Sequence, residues 1–248
     1  MEDKAIGVTT PRGFRATGVA CGLKKTGALD LALVVSDSDC AWAGMFTTNR
    51  VQAAPVLYDK QVLANNRAAI RAVIANSGCA NACTGDAGLA DTRESAEATA
   101  HALGIRADQV LVLSTGVIGL RLDIAKVREG IAQAAIGLSP DGSADASRAI
   151  MTTDTRPKVS AISHLPYAIG GMAKGAGMIH PNMATMLSVI TTDAKIAPDM
   201  LEHALRAAVK VSFNRSSIDG DMSTNDTVLV LANGASGIEI GDSEIGDF

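Results

Sequence analysis

The chain has 248 residues with 22 Lys and Arg against 26 Asp and Glu, a formal charge of −4, and 47 % hydrophobic against 19 % charged residues. That balance excludes a disordered chain, and an acidic excess without a basic patch argues against nucleic acid as a partner. With 1 Trp, 2 Tyr and 4 Phe, small aliphatic side chains must fill the core.

In chain order, runs rich in Val, Ile and Leu predict strands over 31–35 and 69–75. Asp91 as N-cap, with Glu94 three residues on as a capping box, predicts a helix that stops at Gly104. A strand over 110–113 follows, then a helix over 123–136 in which Ile124, Val127 and Ile131 share one face. The glycine-rich run from Gly170 reads as a flexible approach to a strand over 186–192. Pro198 suits the first turn of a helix through Leu201, Leu205 and Val209, and 227–232 is a final strand. Alternation of this kind predicts an α/β fold. Residues 233–248 contain no further helix or strand pattern and read as a chain cut inside a loop.

No apolar run reaches the roughly 18 residues that cross a bilayer, so no membrane is expected. The start, Met-Glu-Asp-Lys-Ala, has neither a signal-peptide nor a transit pattern, and a cytoplasmic location follows as the expectation. Four cysteines, Cys21, Cys40, Cys79 and Cys83, do not form a disulfide framework; Cys79 and Cys83 lack a second ligand pair for zinc and read as buried small residues. His101 and His203 fall on predicted helices, His164 in a strand-like run and His180 in a Gly/Pro loop; the first three read as structural or solvated. No G-x-S-x-G elbow, H-E-x-x-H, dinucleotide or Walker pattern is present, so these residues suggest neither a zinc hydrolase nor a phosphate cradle.

The densest run of unusual residues is Gly170-Gly-Met-Ala-Lys174-Gly-Ala-Gly-Met-Ile-His180-Pro-Asn-Met-Ala184-Thr185-Met-Leu187. If the Ala184–Thr185 bond is cut, Thr185 becomes an N-terminal nucleophile. Its own α-amine, with a reference pKa of about 7.7–8.0, then serves as base and no histidine is needed. The residues alone leave open a plain Gly/Pro loop before a buried strand, with Lys174 a solvated loop lysine.

This run resembles the processing-site motif K-G-x-G-M-x-x-P-x-x-A-T-M-L of the ornithine acetyltransferase (ArgJ) family, also called glutamate N-acetyltransferase. Similar segments follow in the family's order: Pro11-Arg-Gly-Phe14, Asn76-Ser-Gly-Cys-Ala-Asn-Ala-Cys-Thr-Gly85, Ser114-Thr-Gly-Val-Ile-Gly119, Ile150-Met-Thr-Thr-Asp-Thr-Arg-Pro-Lys158 and Asp219-Gly-Asp-Met-Ser-Thr-Asn-Asp226. The resemblance implies layered β-sheets flanked by helices, an N-terminal-nucleophile-type (ArgJ/DmpA-like) architecture. It implies cleavage between Ala184 and Thr185 into an α fragment 1–184 and a β fragment that starts at 185, with the two staying together in a homo-oligomer of αβ units.

Thr185 would carry an acetyl group from N-acetylornithine to glutamate without a cofactor, with acetyl-CoA a second candidate donor. Thr115 by its side chain and Gly116 by its N–H match the family's oxyanion hole, at what reads as a strand ending in an S-T-G turn. Thr152 and Lys174 match its substrate-binding positions, where a cation suits an α-carboxylate. Family members continue beyond the end of this chain, in a part that carries further substrate-binding residues. Two other readings stay open: an amidase or aminopeptidase using the same Thr with water as acceptor, and an incomplete chain that acts only as a folding or assembly partner.

Overall fold

The computed structural model describes residues 6–163, 166–178, 186–241 and 245–246. In chain order these form β1 (Phe14–Val19), β2 (Leu31–Phe46), α1 (Ala54–Asn65), β3 (Ile70–Cys79), α2 (Gly85–Leu103), β4 (Val110–Val117), α3 (Ile124–Ile136) and α4 (Ser143–Ala149). There follow β5 (Lys158–Ile162), β6 (Ile169–Lys174), β7 (Leu187–Thr192), α5 (Pro198–Val211) and β8 (Thr227–Ala232).

The long strand β2 organises the sheet order β4-β3-β2-β8-β7-β6-β5, with β1 also on β2. Its first part pairs antiparallel with β1 and β3, where Val34 faces Ala16 and Val73. After a register shift between Val35 and Cys40, residues Ala41 to Phe46 pair antiparallel with β8 instead. The exposed Asp37-Ser38-Asp39 occupies that shift, where the side chains leave the packed layers. Two pairs are parallel, β3 with β4 and β7 with β8.

Alternation along each strand divides its residues between two layers. Val34, Val73 and Leu111 point inward and share a core with Trp42, Met172, Val189 and Leu229, so one half of the sheet lies against the other. On the outer side of the first half, Leu33, Ile74 and Val112 meet Ala96 of α2 and Ile131 of α3. On the outer side of the second, Ala43, Val228 and Val230 meet Leu201, Leu205 and Val209 of α5. The result is the expected layered α/β arrangement of two β layers between helices.

The strand over 227–232 and the helices begun by Asp123 and Pro198 stand as expected, with Asp123 accepting the Lys126 N–H at 3.4 Å. Other expectations are corrected. Helix α2 starts at Gly85 rather than Asp91; the Asp91 carboxylate is buried inside the helix and held by Arg121 at 3.1 Å. Glu94 pairs with Arg128 rather than closing a capping box. Gly104 ends the helix in left-handed backbone at φ 65°, as read.

The glycine-rich approach is not a loop over its first residues, because 169–174 form β6. Gly170 is there for space: a Cβ on it would lie 2.0 Å from the Gly7 carbonyl oxygen. The S-T-G segment is likewise strand, since β4 runs on through Val117. Cys83 is exposed, not buried, whereas Cys79 is buried. The stretch after β8 is tied down: Lys195 and Glu239 form a parallel bridge and Ile240 packs beneath α5. His101 and His203 are exposed on their helices, as expected.

Candidate functional site

Four strand ends converge on one place: the C-terminal ends of β3, β4 and β6 and the start of β7. The link between them is the polar run Ser223-Thr224-Asn225-Asp226 ahead of β8, all of it buried. Asn225 Nδ2 donates to the Ser114 carbonyl at 2.8 Å and to the Ala80 carbonyl at 2.7 Å, bridging β4 to the loop after β3. The next residue, Asp226, accepts the Met186 N–H on Oδ1 at 3.0 Å, and the Thr227 N–H donates to the Met186 carbonyl at 2.9 Å. Residues 114 and 186 thus belong to one hydrogen-bonded unit. Thr185 and Ala184, like His164 and His180, lie outside the described residues.

Thr115 follows Ser114 directly; it is 5 % exposed and its side chain makes no hydrogen bond among the described residues. Ser114 Oγ donates to Asn76 Oδ1 at 2.6 Å, and Asn76 Nδ2 donates to the Cys79 carbonyl at 2.8 Å, which fixes the ends of β3 and β4 together. Gly116, paired with Gly78, is exposed at φ 135°. A Cβ there would lie 2.3 Å from the Gly78 carbonyl carbon, so no other residue fits this close approach. Here the backbone is exposed because of its glycine rather than because it turns.

Lys174 is not a solvated loop lysine: it ends β6, opposite Leu187 of β7, and is 5 % exposed. Its Nζ lies 3.5 Å from Thr152 Oγ1, so these two expected substrate-binding residues are neighbours. Burial pushes the Lys174 pKa below its ordinary value, against the pull of Asp154 and Asp226.

Asp154, which the sequence reading left unremarked, ties this side together. Its carboxylate accepts Lys158 and the Gly175 N–H, the latter at 2.8 Å, and also the Thr152 N–H at 3.3 Å. Burial would raise its pKa, yet Lys158 and the two N–H groups outweigh it and hold the carboxyl below the usual range. For Asp226 the balance reverses: burial pushes its pKa up to about 7 against the Met186 N–H, Lys174 and Ser223. Beside Thr152 opens a cavity of about 570 Å³ whose wall carries Lys24 and Arg148, a cationic surface suited to carboxylates. No group of three or more His, Cys, Asp or Glu suited to a metal occurs among the described residues, and no described helix is long and apolar enough to cross a membrane.

The sequence signal that would have found Asn225 and Asp226 is the run of four polar residues directly before β8, which is apolar after Thr227. Such a run is expected to be solvated, and here it is buried.

Comparison with known proteins places these features in a family. The ArgJ family model matches residues 15–248. The arginine biosynthesis bifunctional protein ArgJ of Synechococcus sp. is 53 % identical over 235 residues, 93 % of this chain and 56 % of that protein. This chain therefore spans less than two thirds of the length of that curated relative. A structure of ornithine acetyltransferase from Mycobacterium tuberculosis complexed with ornithine superposes with TM-score 0.68 at 48 % identity, covering 74 % of this chain and 97 % of that one. The L-aminopeptidase D-Ala-esterase/amidase of Ochrobactrum anthropi, described as a variant of the Ntn hydrolase fold, shares the fold at TM-score 0.52 and 11 % identity, covering 92 % of this chain and 73 % of that one.

Proposed function

Because the chain belongs to the ArgJ family, we propose that it is an acetyl-transferring enzyme of arginine biosynthesis whose nucleophile is Thr185. The chain cleaves itself between Ala184 and Thr185, leaving an α fragment 1–184 and a β fragment whose first residue is the nucleophile. The new α-amine takes the hydroxyl proton as Thr185 Oγ attacks the acetyl carbonyl of N-acetylornithine. Ornithine leaves, and glutamate accepts the acetyl group in the second half of a ping-pong cycle. The Thr115 hydroxyl and Gly116 N–H stabilise the oxyanion; one such donor is worth on the order of 10²–10³ in rate. Thr152 and Lys174, beside the cationic cavity, hold the α-carboxylate common to both amino acids. Acetyl-CoA is a second donor in this reading, the working unit is an assembly of αβ units, and its place is the cytoplasm.

The observation that carries the reading is the Asn225–Asp226 bridge, which ties the strand of Thr115 and Gly116 to Met186, the residue after Thr185. The match to the M. tuberculosis ornithine acetyltransferase structure adds support for acetyl transfer.

Denaturing mass spectrometry tests the reading: two masses that meet between 184 and 185 are expected, and Thr185→Ala should give one. A folded chain that stays whole removes the nucleophile. Incubation with N-acetylornithine then separates transfer from hydrolysis, since transfer yields N-acetylglutamate only with glutamate present. Ornithine release that ignores glutamate would mark an amidase instead.

A further inference from the structure

Two buried side-chain oxygens have no hydrogen-bond partner among the described residues, Oδ2 of Asp59 and Oδ2 of Asp226. Asp59 sits in α1 away from the site, with Oδ1 accepting the Val112 N–H. Asp226 lies at the site. It is 1 % exposed, and its Oδ1 holds the N–H of the peptide link that joins residue 185 to Met186. Buried polar atoms are nearly always satisfied, so an orphan beside a bond expected to break asks for a use.

We propose that Asp226 serves the backbone nitrogen of residue 185: Oδ1 fixes the peptide link that follows this residue, and Oδ2 carries the proton that the nitrogen takes when the 184–185 bond opens. The inference rests on the self-cleavage proposed above and adds a residue to it. In the first step Thr185 Oγ bonds to the Ala184 carbonyl carbon and the C–N bond breaks. The nitrogen takes a proton from the Asp226 carboxyl, and the carboxylate so formed takes the proton that leaves the Thr185 hydroxyl. Asp226 ends as it began. Water then hydrolyses the ester, returning a hydroxyl to Thr185 and a carboxyl to Ala184.

The surroundings suit a carboxyl that keeps its proton near neutral pH, because burial raises its pKa to about 7. The charged neighbour is Lys174 on β6, with Asp154 and Lys158 beyond it. The other groups at hand are Ser223 in the run ahead of β8, Thr47 just after β2, Ser114 of β4 and Met186 just ahead of β7, none of which carries charge.

Asp226→Asn separates the two tasks, since the amide keeps an oxygen for the Met186 N–H but has no acid proton. Wild type, Asp226→Asn and Asp226→Glu are made by cell-free translation between about pH 6 and about pH 8, roughly one unit either side of neutral, with cleavage followed by denaturing mass spectrometry and folding by thermal melts. Wild-type cleavage should slow as pH rises through about 7. Asp226→Asn should be slower by about 100-fold or more and lack that inflection, while Asp226→Glu recovers part of the rate with a displaced inflection. Wild-type rate and pH profile in Asp226→Asn would overturn the role of Asp226 and leave the nucleophile standing. A folded wild type that never opens at 184–185 would overturn both. If Asp226→Asn gives no cooperative melt, Asp226→Glu decides, because cleavage without any inflection near neutral pH refutes the proposal.

Discussion

Asn225→Asp should loosen the junction at which the two halves of the sheet meet. In the wild type, Asn225 Nδ2 donates to the Ala80 and Ser114 carbonyls at 2.7 and 2.8 Å, and Oδ1 lies 2.6 Å from the Thr224 hydroxyl. Aspartate keeps the shape and the acceptor but has no donor when ionised, so two buried carbonyls lose their partners. Each costs about 1–3 kcal/mol, or about 2–6 kcal/mol together. At roughly 2–4 °C per kcal/mol for a chain of this size, the melting temperature should fall by between about 4 and 24 °C at pH 8. The loss should shrink at pH 5, because a carboxyl buried at residue 225 has a raised pKa and regains one O–H donor on protonation. Urea unfolding at both pH values measures the difference. A loss under about 1 kcal/mol at pH 8, or one that does not depend on pH, would refute the accounting.

Gly116→Ala should cost far more stability than Gly119→Ala and abolish cleavage and transfer: both glycines have positive φ, 135° and 83°, but only Gly116 has backbone within 2.3 Å of the added Cβ, while Gly119 has open space. Equal melting temperatures for the two variants would dismiss the close approach. Asp59→Asn should gain stability relative to wild type as pH rises. Burial holds the folded-state pKa of Asp59 well above its ordinary value, so its neutral form favours the fold and that contribution drains away above about pH 4, where the unfolded chain ionises. Parallel urea midpoints for the two proteins from pH 4.5 to 8 would contradict this.

Strands and helices with clean apolar periods were legible in the sequence: β8, α3 and α5 carry their pattern and their caps locally. Helix α1 was missed because its buried face includes Asp59, which breaks the apolar period. The second half of β2 hides behind Ser36 to Asp39, where the strand leaves one set of partners for another. β6 reads as loop because its Gly170-Gly171 pair suggests a turn, whereas Gly170 answers to the neighbouring Gly7 backbone. At the site, Thr115, Gly116, Thr152 and Lys174 came from resemblance to a family, and the structure adds why they gather. That reason resides in Asn225 and Asp226, whose bonds reach across 111 and 40 residues of chain and leave no local spacing to read.

The division of β2 between two sets of partners also sets an order of events. Its first half finds β1 and β3 close by in the chain, whereas its second half waits for β8, where Phe46 pairs with Thr227 far along the chain. Pairings of such long separation close late, because the loop entropy is lost before the contacts form. Asn225 and Asp226 ride in on β8, so the unit that joins Ser114 to Met186 is among the last parts to assemble. Under the self-cleavage proposed above, the cut waits on this late pairing: the 184–185 bond meets Ser114 and its neighbours only once β2 has found β8.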